Sequence, residues 1–182
     1  FEGNLQQFRF TIIEGTVAKD ALRKLKQIIE NNDLNFQISS KTLEIFSKES
    51  LILPDTYFFT DRQQLERLMI NQKIRLNNIL TRLWENKPKD NPLKSINEAL
   101  VLASIVEREA AVEWERAQIS SVFLSRIRDG WRLDADPTLI YGYYGDFSKK
   151  ITKENLKAVK GDNNPFNTYK TVSYTHLTLP TT

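Results

Sequence analysis

The chain has 182 residues, enough for one domain or for one domain with a smaller partner, and its 40% hydrophobic content with three Trp, six Tyr and ten Phe can build a real core. Twenty-six basic residues against 23 acidic give only +3, and apart from Arg126, Arg128 and Arg132 they are scattered, which speaks against a nucleic-acid-binding stripe. Cys is absent and the one His is His176, so a disulfide scaffold is excluded and His- or Cys-based metal sites and Ser-His-Asp chemistry are disfavoured. No apolar run approaches the ~20 residues of a membrane helix, and no signal peptide is visible. Because the chain begins with Phe1 rather than Met, a fragment of a longer protein is expected.

Phe8–Ile13 alternates loosely and is rich in β-formers, predicting a strand. Glu14-Gly15-Thr16 turns the chain, with Thr16 the expected cap of a helix through Ala18, Leu22, Leu25 and Ile29 that Asn31-Asn32-Asp33 ends. A short helix follows over Thr42–Phe46, then an extended Leu51-Ile52-Leu53 stopped by Pro54. Thr60 with Gln63 forms a capping box that opens an amphipathic helix through Leu65, Leu68, Met69, Leu76, Ile79 and Leu83. After the polar loop Lys87–Pro92, Ser95 with Glu98 forms a second box, opening one long helix that is expected to run to about Arg128 and stop at Gly130. Asp136-Pro137-Thr138 has the chemistry of a short helix start. A last helix is expected near Lys153–Val159, followed by the turn-rich Gly161–Pro165.

The long helix carries Glu107 within Ala103-Ser104-Ile105-Val106-Glu107-Arg108-Glu109. At about 100° per residue, Ala103, Glu107, Ala110, Ala111 and Trp114 share one side. Val101, Ile105, Val112, Ile119 and Phe123 form a second apolar stripe, and Glu109, Glu113 and Arg116 fall on a wet opposite arc. Glu107 therefore belongs to an interior or cleft wall, where partial desolvation favours its protonated form and suits it to acid catalysis. The plainer explanation is a structural ion pair, with Arg126, Arg128 or Arg132 as partner. Asn167-Thr168-Tyr169 and Pro54-Asp55-Thr56-Tyr57 have equally plain readings, an ordinary turn and a strand exit.

The order of these segments is more informative than any one of them. Leu53–Tyr57, Ala103–Glu109, Glu115-Arg116, Ser121–Arg126, Leu133–Gly142 and Asn167–Tyr169 follow one another in a series that closely resembles the MltG (YceG-like) endolytic murein transglycosylases. The resemblance runs from about Gln7 to Thr171 and is densest between Ala103 and Gly142. It implies an α+β fold: a YceG-like catalytic domain with a long buried helix over 49–171, preceded in 1–48 by part of a small LysM-like α/β subdomain. It implies that Glu107 is the single catalytic acid/base. Ser104, Asp136, Thr138, Asn167 and Tyr169 would bind substrate, with no metal or cofactor.

The implied function is endolytic cleavage of the bond between N-acetylmuramic acid and N-acetylglucosamine in nascent glycan strands, with a 1,6-anhydro product. The implied partners are peptidoglycan strands and peptidoglycan synthases, without nucleic acid. The implied location is the bacterial inner membrane, single-pass, with the catalytic domain outside the cytoplasm and the anchor missing from this fragment. The alternative function is a non-catalytic peptidoglycan-binding or scaffold module in which Glu107 is an ion-pair residue.

Three departures from the family pattern stand out. Asp134 and Ala135 replace the family's Gln-(Ser/Thr) before Asp136, adding a carboxylate. Glu49-Ser50 stands where the family has Glu-Gly. After Tyr169 the family's Gly-Leu-Pro-Pro-Gly is missing, and Val172–Thr182 resembles translated sequencing adapter, so 172–182 is expected to be a non-native tail.

Overall fold

The structure, a computed structural model, describes residues 6–152, 154, 156 and 163–170. Most of the helix expected near Lys153–Val159, the tail 172–182 and His176 lie outside the described residues. The fold mixes a small two-stranded sheet with six helices among the described residues, and it divides into two compact units, the first reaching Leu83 and the second beginning at Trp84.

In the first unit, β1 (Phe8–Ile12) pairs antiparallel with β2 (Asp55–Phe59), Phe8 opposite Phe59 and Phe10 opposite Tyr57. Strand alternation sends Phe8, Phe10, Ile12, Tyr57 and Phe59 inward. There they join Leu25 and Ile29 of α1 (Ala18–Asn31), Ile45 of α2 (Ser40–Ile45), and Leu65 and Met69 of α3 (Arg62–Glu85) in one core. Leu51–Leu53, expected to be extended, carries no strand: the ladder begins at Asp55, so Pro54-Asp55-Thr56-Tyr57 leads into a strand rather than out of one. Pro54, which has no N–H to donate, falls just before the ladder.

Thr16 does not cap α1. Val17 holds the N-cap position without a side-chain bond, and the Ala18 N–H instead donates to Glu49 Oε2 at 2.8 Å. Ser50 adopts φ +63, a conformation glycine takes without strain. The capping box of α3 sits one residue later than Thr60/Gln63: Asp61 Oδ1 accepts the Gln64 N–H at 2.9 Å, and Gln64 Oε1 accepts the Thr60 N–H at 2.6 Å.

In the second unit, Ser95 caps α4 (Ile96–Glu109) as expected, its Oγ accepting the Glu98 N–H at 3.1 Å. The helix does not continue to Arg128. It breaks after Glu109, Ala110 turns to extended geometry, and α5 (Glu115–Arg128) begins afresh. Ala110 and Ala111 are strong helix formers, so local propensity is overridden. The Glu115 carboxylate accepts the N–H groups of Ala111 and Val112 at 3.0 and 3.4 Å. Phe123 joins Val101, Ile105 and Val106 of α4 in the core.

Gly130 ends α5 at φ +69, with the Trp131 N–H reaching Arg126 O and the Gly130 N–H reaching Ile127 O, a Schellman stop. α6 (Asp136–Tyr144) starts at Asp136 with Pro137 in its first turn and packs on α4. Among the described residues, no helix is long and apolar enough to cross a membrane.

Candidate active site

Glu107 lies in the last full turn of α4. The break after Glu109 brings the start of α5 opposite it, and Arg116 Nε and Nη2 donate to Glu107 Oε2 and Oε1 at 2.9 and 3.0 Å. This is the two-pronged guanidinium–carboxylate arrangement, which fixes the plane of the carboxyl as well as its charge. The Glu107 side chain is 17% exposed and that of Arg116 41%. The ion pair is real, but its cation is none of Arg126, Arg128 and Arg132. Arg126 donates to Leu133 O, and Arg132 Nη1 donates to Tyr169 O at 2.8 Å. Arg116, expected on a wet arc, is the partner, because the helix carrying it is a separate one. The same break removes Ala110, Ala111 and Trp114 from the Glu107 face and leaves Val112 exposed.

Two residues along α4, a rotation of about 200°, Glu109 turns toward α6 instead. As a residue it is exposed, yet desolvation of its carboxyl raises its pKa above the ordinary Glu value. The Asp136 carboxylate adds to that rise, and a hydrogen bond from the Asp136 N–H opposes it. Tyr169 Oη donates to Asp136 Oδ1 at 2.6 Å. Desolvation, that hydrogen bond, and the charges of Asp136, Asp134 and Glu109 together push the Tyr169 phenol well above its usual range. Glu109, Asp134, Asp136 and Tyr169 thus form an acidic cluster from three separate segments. Arg108 lies over the Phe147 ring at 3.8 Å; burial lowers its pKa while the Glu107 charge raises it.

The remaining residues expected to bind substrate are interior. Ser104 is fully buried and donates to Val101 O at 2.6 Å. Thr138 is fully buried, donating to Ala135 O at 2.7 Å and pairing with Thr168 Oγ1 at 2.9 Å. Asn167 is buried, its Oδ1 accepting the Tyr169 N–H at 3.1 Å. The Ala135 N–H donates to Thr168 Oγ1 and the Asp134 N–H to Thr168 O. Asn167-Thr168-Tyr169 is therefore stitched along Leu133–Thr138, and this holds the phenol against Asp136. Asp134 reaches φ +51 at this seam, a conformation that Asp tolerates better than most residues. At Gly142, α6 lies close against the returning chain: a Cβ there would lie 2.6 Å from Phe166 Cβ and 2.8 Å from Asn164 Oδ1.

Sequence reasoning did not single out Arg116 and Glu109 as functional, although both stand inside the motif segments. The missing signal was the helix break. Among the described residues, no group of His, Cys, Asp and Glu is arranged to hold a metal ion.

The sequence profile of the YceG-like family matches residues 2–177. An endolytic murein transglycosylase of Bacillus subtilis is 26% identical over 190 residues, covering 92% of this chain and 51% of that protein. One from Streptococcus pneumoniae is 26% identical over 125 residues, covering 68% of this chain and 22% of that protein. The chain thus spans about half the length of the first relative and about a fifth of the second. A crystal structure of a putative YceG-like protein from Listeria monocytogenes superposes with a TM-score of 0.61 at 20% identity, over 89% of this chain and 58% of that one, a likeness of fold. With the family profile matched along nearly its whole length, the chain belongs to the YceG-like family.

Proposed function

We propose that this chain carries the acid/base centre of an endolytic peptidoglycan lytic transglycosylase. The observation that carries the reading is Glu107 itself. It is a mostly buried carboxyl on the family's Ser-Ile-Val-Glu motif, held in a fixed plane in the last turn of α4. The reaction needs one such group. Protonated Glu107 donates to the glycosidic oxygen as the bond to C1 of the muramyl sugar breaks. The resulting carboxylate then takes the proton from the C6 hydroxyl as that oxygen closes on C1, giving the 1,6-anhydro ring. Glycosidases that use water or a covalent intermediate need a second carboxyl; here the substrate supplies the nucleophile.

Of the five residues expected to bind substrate, Asp136 and Tyr169 have polar groups outside the interior. We assign them to contacts with sugar hydroxyl or N-acetyl groups. Ser104, Thr138 and Asn167 would act through the frame they brace. We take residues 1–48 as the latter part of a LysM-like subdomain; the pairing of β1 with β2 supports extending it to include Asp55–Phe59. The location that goes with this reading is the outer side of the bacterial inner membrane, next to nascent strands and the synthases that make them.

The Glu107–Arg116 pair also favours a second reading, a glycan-binding module in which the pair only braces two helices. Mass spectrometry of purified peptidoglycan incubated with the full chain and with its Glu107→Gln variant separates the two. Products ending in 1,6-anhydromuramic acid from the parent alone support the transglycosylase. Reducing ends would make it a hydrolase, and binding by a folded chain without products would favour the module.

A further inference from the structure

We propose that Arg116 is a positioning residue for Glu107, one that orients the carboxyl and stabilises the charge it acquires on giving up its proton. The inference rests on the reading of Glu107 as the acid/base. The arrangement has two parts. Glu115 closes the turn between α4 and α5 by accepting the Ala111 and Val112 N–H groups, which sets where α5 begins. Arg116, the next residue, then meets Glu107 side-on through Nε and Nη2 at 2.9 and 3.0 Å. A single-point cation would leave the carboxyl free to rotate; the planar fork does not.

Proton donation creates a carboxylate on Glu107. A guanidinium already in place stabilises that charge without rearranging during the step. The same two bonds then hold the carboxylate for the return transfer from the C6 hydroxyl. Other charges do not duplicate it. Arg108 follows Glu107 on α4, adds to the positive field there, and lies over Phe147. Glu115 is turned to the backbone of its own turn, Arg126 to Leu133 O, and Asp136 of α6 to Glu109 and Tyr169.

The test follows anhydromuropeptide release across pH for the full chain, Arg116→Gln and Arg116→Lys. Arg116→Gln is expected to lose roughly 10- to 100-fold in kcat from misorientation of the acid, with KM little changed. Its basic limb should move to higher pH, because removing the cation favours the protonated acid that the first step requires. Arg116→Lys should keep the limb near its original position yet recover only part of kcat, having the charge without the fork.

A merely structural arginine would lower stability without moving the limb. Parent-like kcat and limb in a folded Arg116→Gln overturn the proposal. If that variant does not fold, full kcat in Arg116→Lys overturns it and partial kcat supports it. If the parent itself releases nothing, the transglycosylase reading has failed. Arg116 is then judged by 13C NMR titration of the Glu107 carboxyl, where equal midpoints in the parent and Arg116→Gln overturn its electrostatic role and a higher midpoint in the variant supports it.

Discussion

Glu107 and Glu109 stand two residues apart on one helix and live in opposite electrostatic surroundings. Glu107 faces a guanidinium that meets both its oxygens. Glu109 faces the Asp136 carboxylate and the Tyr169 phenol that Asp136 binds, and its charged form is disfavoured by desolvation and repulsion. Chemical type therefore does not assign a role, because a turn of about 200° along α4 changes every neighbour. The carboxyl whose environment holds it in a defined plane is Glu107, and its partner comes from α5. The carboxyl whose environment favours retaining a proton is Glu109, and its partner comes from α6. A single motif with two carboxyls has been divided between two supporting helices.

The comparison is sharpest in catalysis. Glu107→Gln should lower anhydromuropeptide release by at least about 100-fold, the usual contribution of a positioned acid/base. Glu109→Gln should stay within about tenfold of the parent, since a residue outside proton transfer does not carry that contribution. A reversal of the two results would make Glu109 the acid and break the comparison.

Next comes Gly142→Ala. The added methyl meets Phe166 Cβ at 2.6 Å, so the Asn164–Phe166 segment must move away from α6. Overpacking of this kind costs about 1–3 kcal/mol, readable from urea unfolding. It should loosen Tyr169 from Asp136 while leaving the Glu107–Arg116 pair intact, so the phenol titration should fall toward the ordinary Tyr range. A phenol still titrating as in the parent would mean that Tyr169 does not depend on that segment.

Tyr169→Phe removes one hydrogen bond to Asp136, worth about 1 kcal/mol in chemical denaturation. An unchanged midpoint would show that water replaces the phenol at no cost.

The smallest effect belongs to Glu109→Gln in stability. Because the folded pKa of Glu109 is raised, the parent's stability contribution from this group is complete below the ordinary Glu value. It is lost as pH rises through the raised one. The Gln variant has no such loss, so its stability relative to the parent should grow with pH across that window and level off above it. A difference that is flat with pH would remove Glu109's half of the comparison.

The sequence was most readable where a few adjacent residues decide the structure. Ser95 with Glu98, Gly130 behind α5, and Pro137 after Asp136 all mark ends whose geometry is local. It was least readable where distant groups overrule local preference. Ala110-Ala111 favours helix, yet the chain turns there because Glu115 takes the Ala111 and Val112 N–H groups and Phe123 packs back onto α4. Missing that turn displaced Arg116 to the wrong face and hid the partner of Glu107. The burial of Thr138 was hidden for a similar reason, since it meets Thr168, 30 residues along the chain. Glu107 was singled out because a dense motif surrounds it, and its catalytic role is the proposal made above.

The cap of α1 has a consequence for the order in which the molecule assembles. Val17 contributes no side-chain bond, and the free Ala18 N–H waits for Glu49, 31 residues along the chain. β1 likewise waits for β2, with Phe8 paired to Phe59. The contact that orders Glu107 spans only nine residues. Loop-closure entropy and contact order then favour early formation of the α4–α5 pair and late completion of the first unit. On a refolding chain, the carboxyl and its guanidinium would meet while the first sheet is still open.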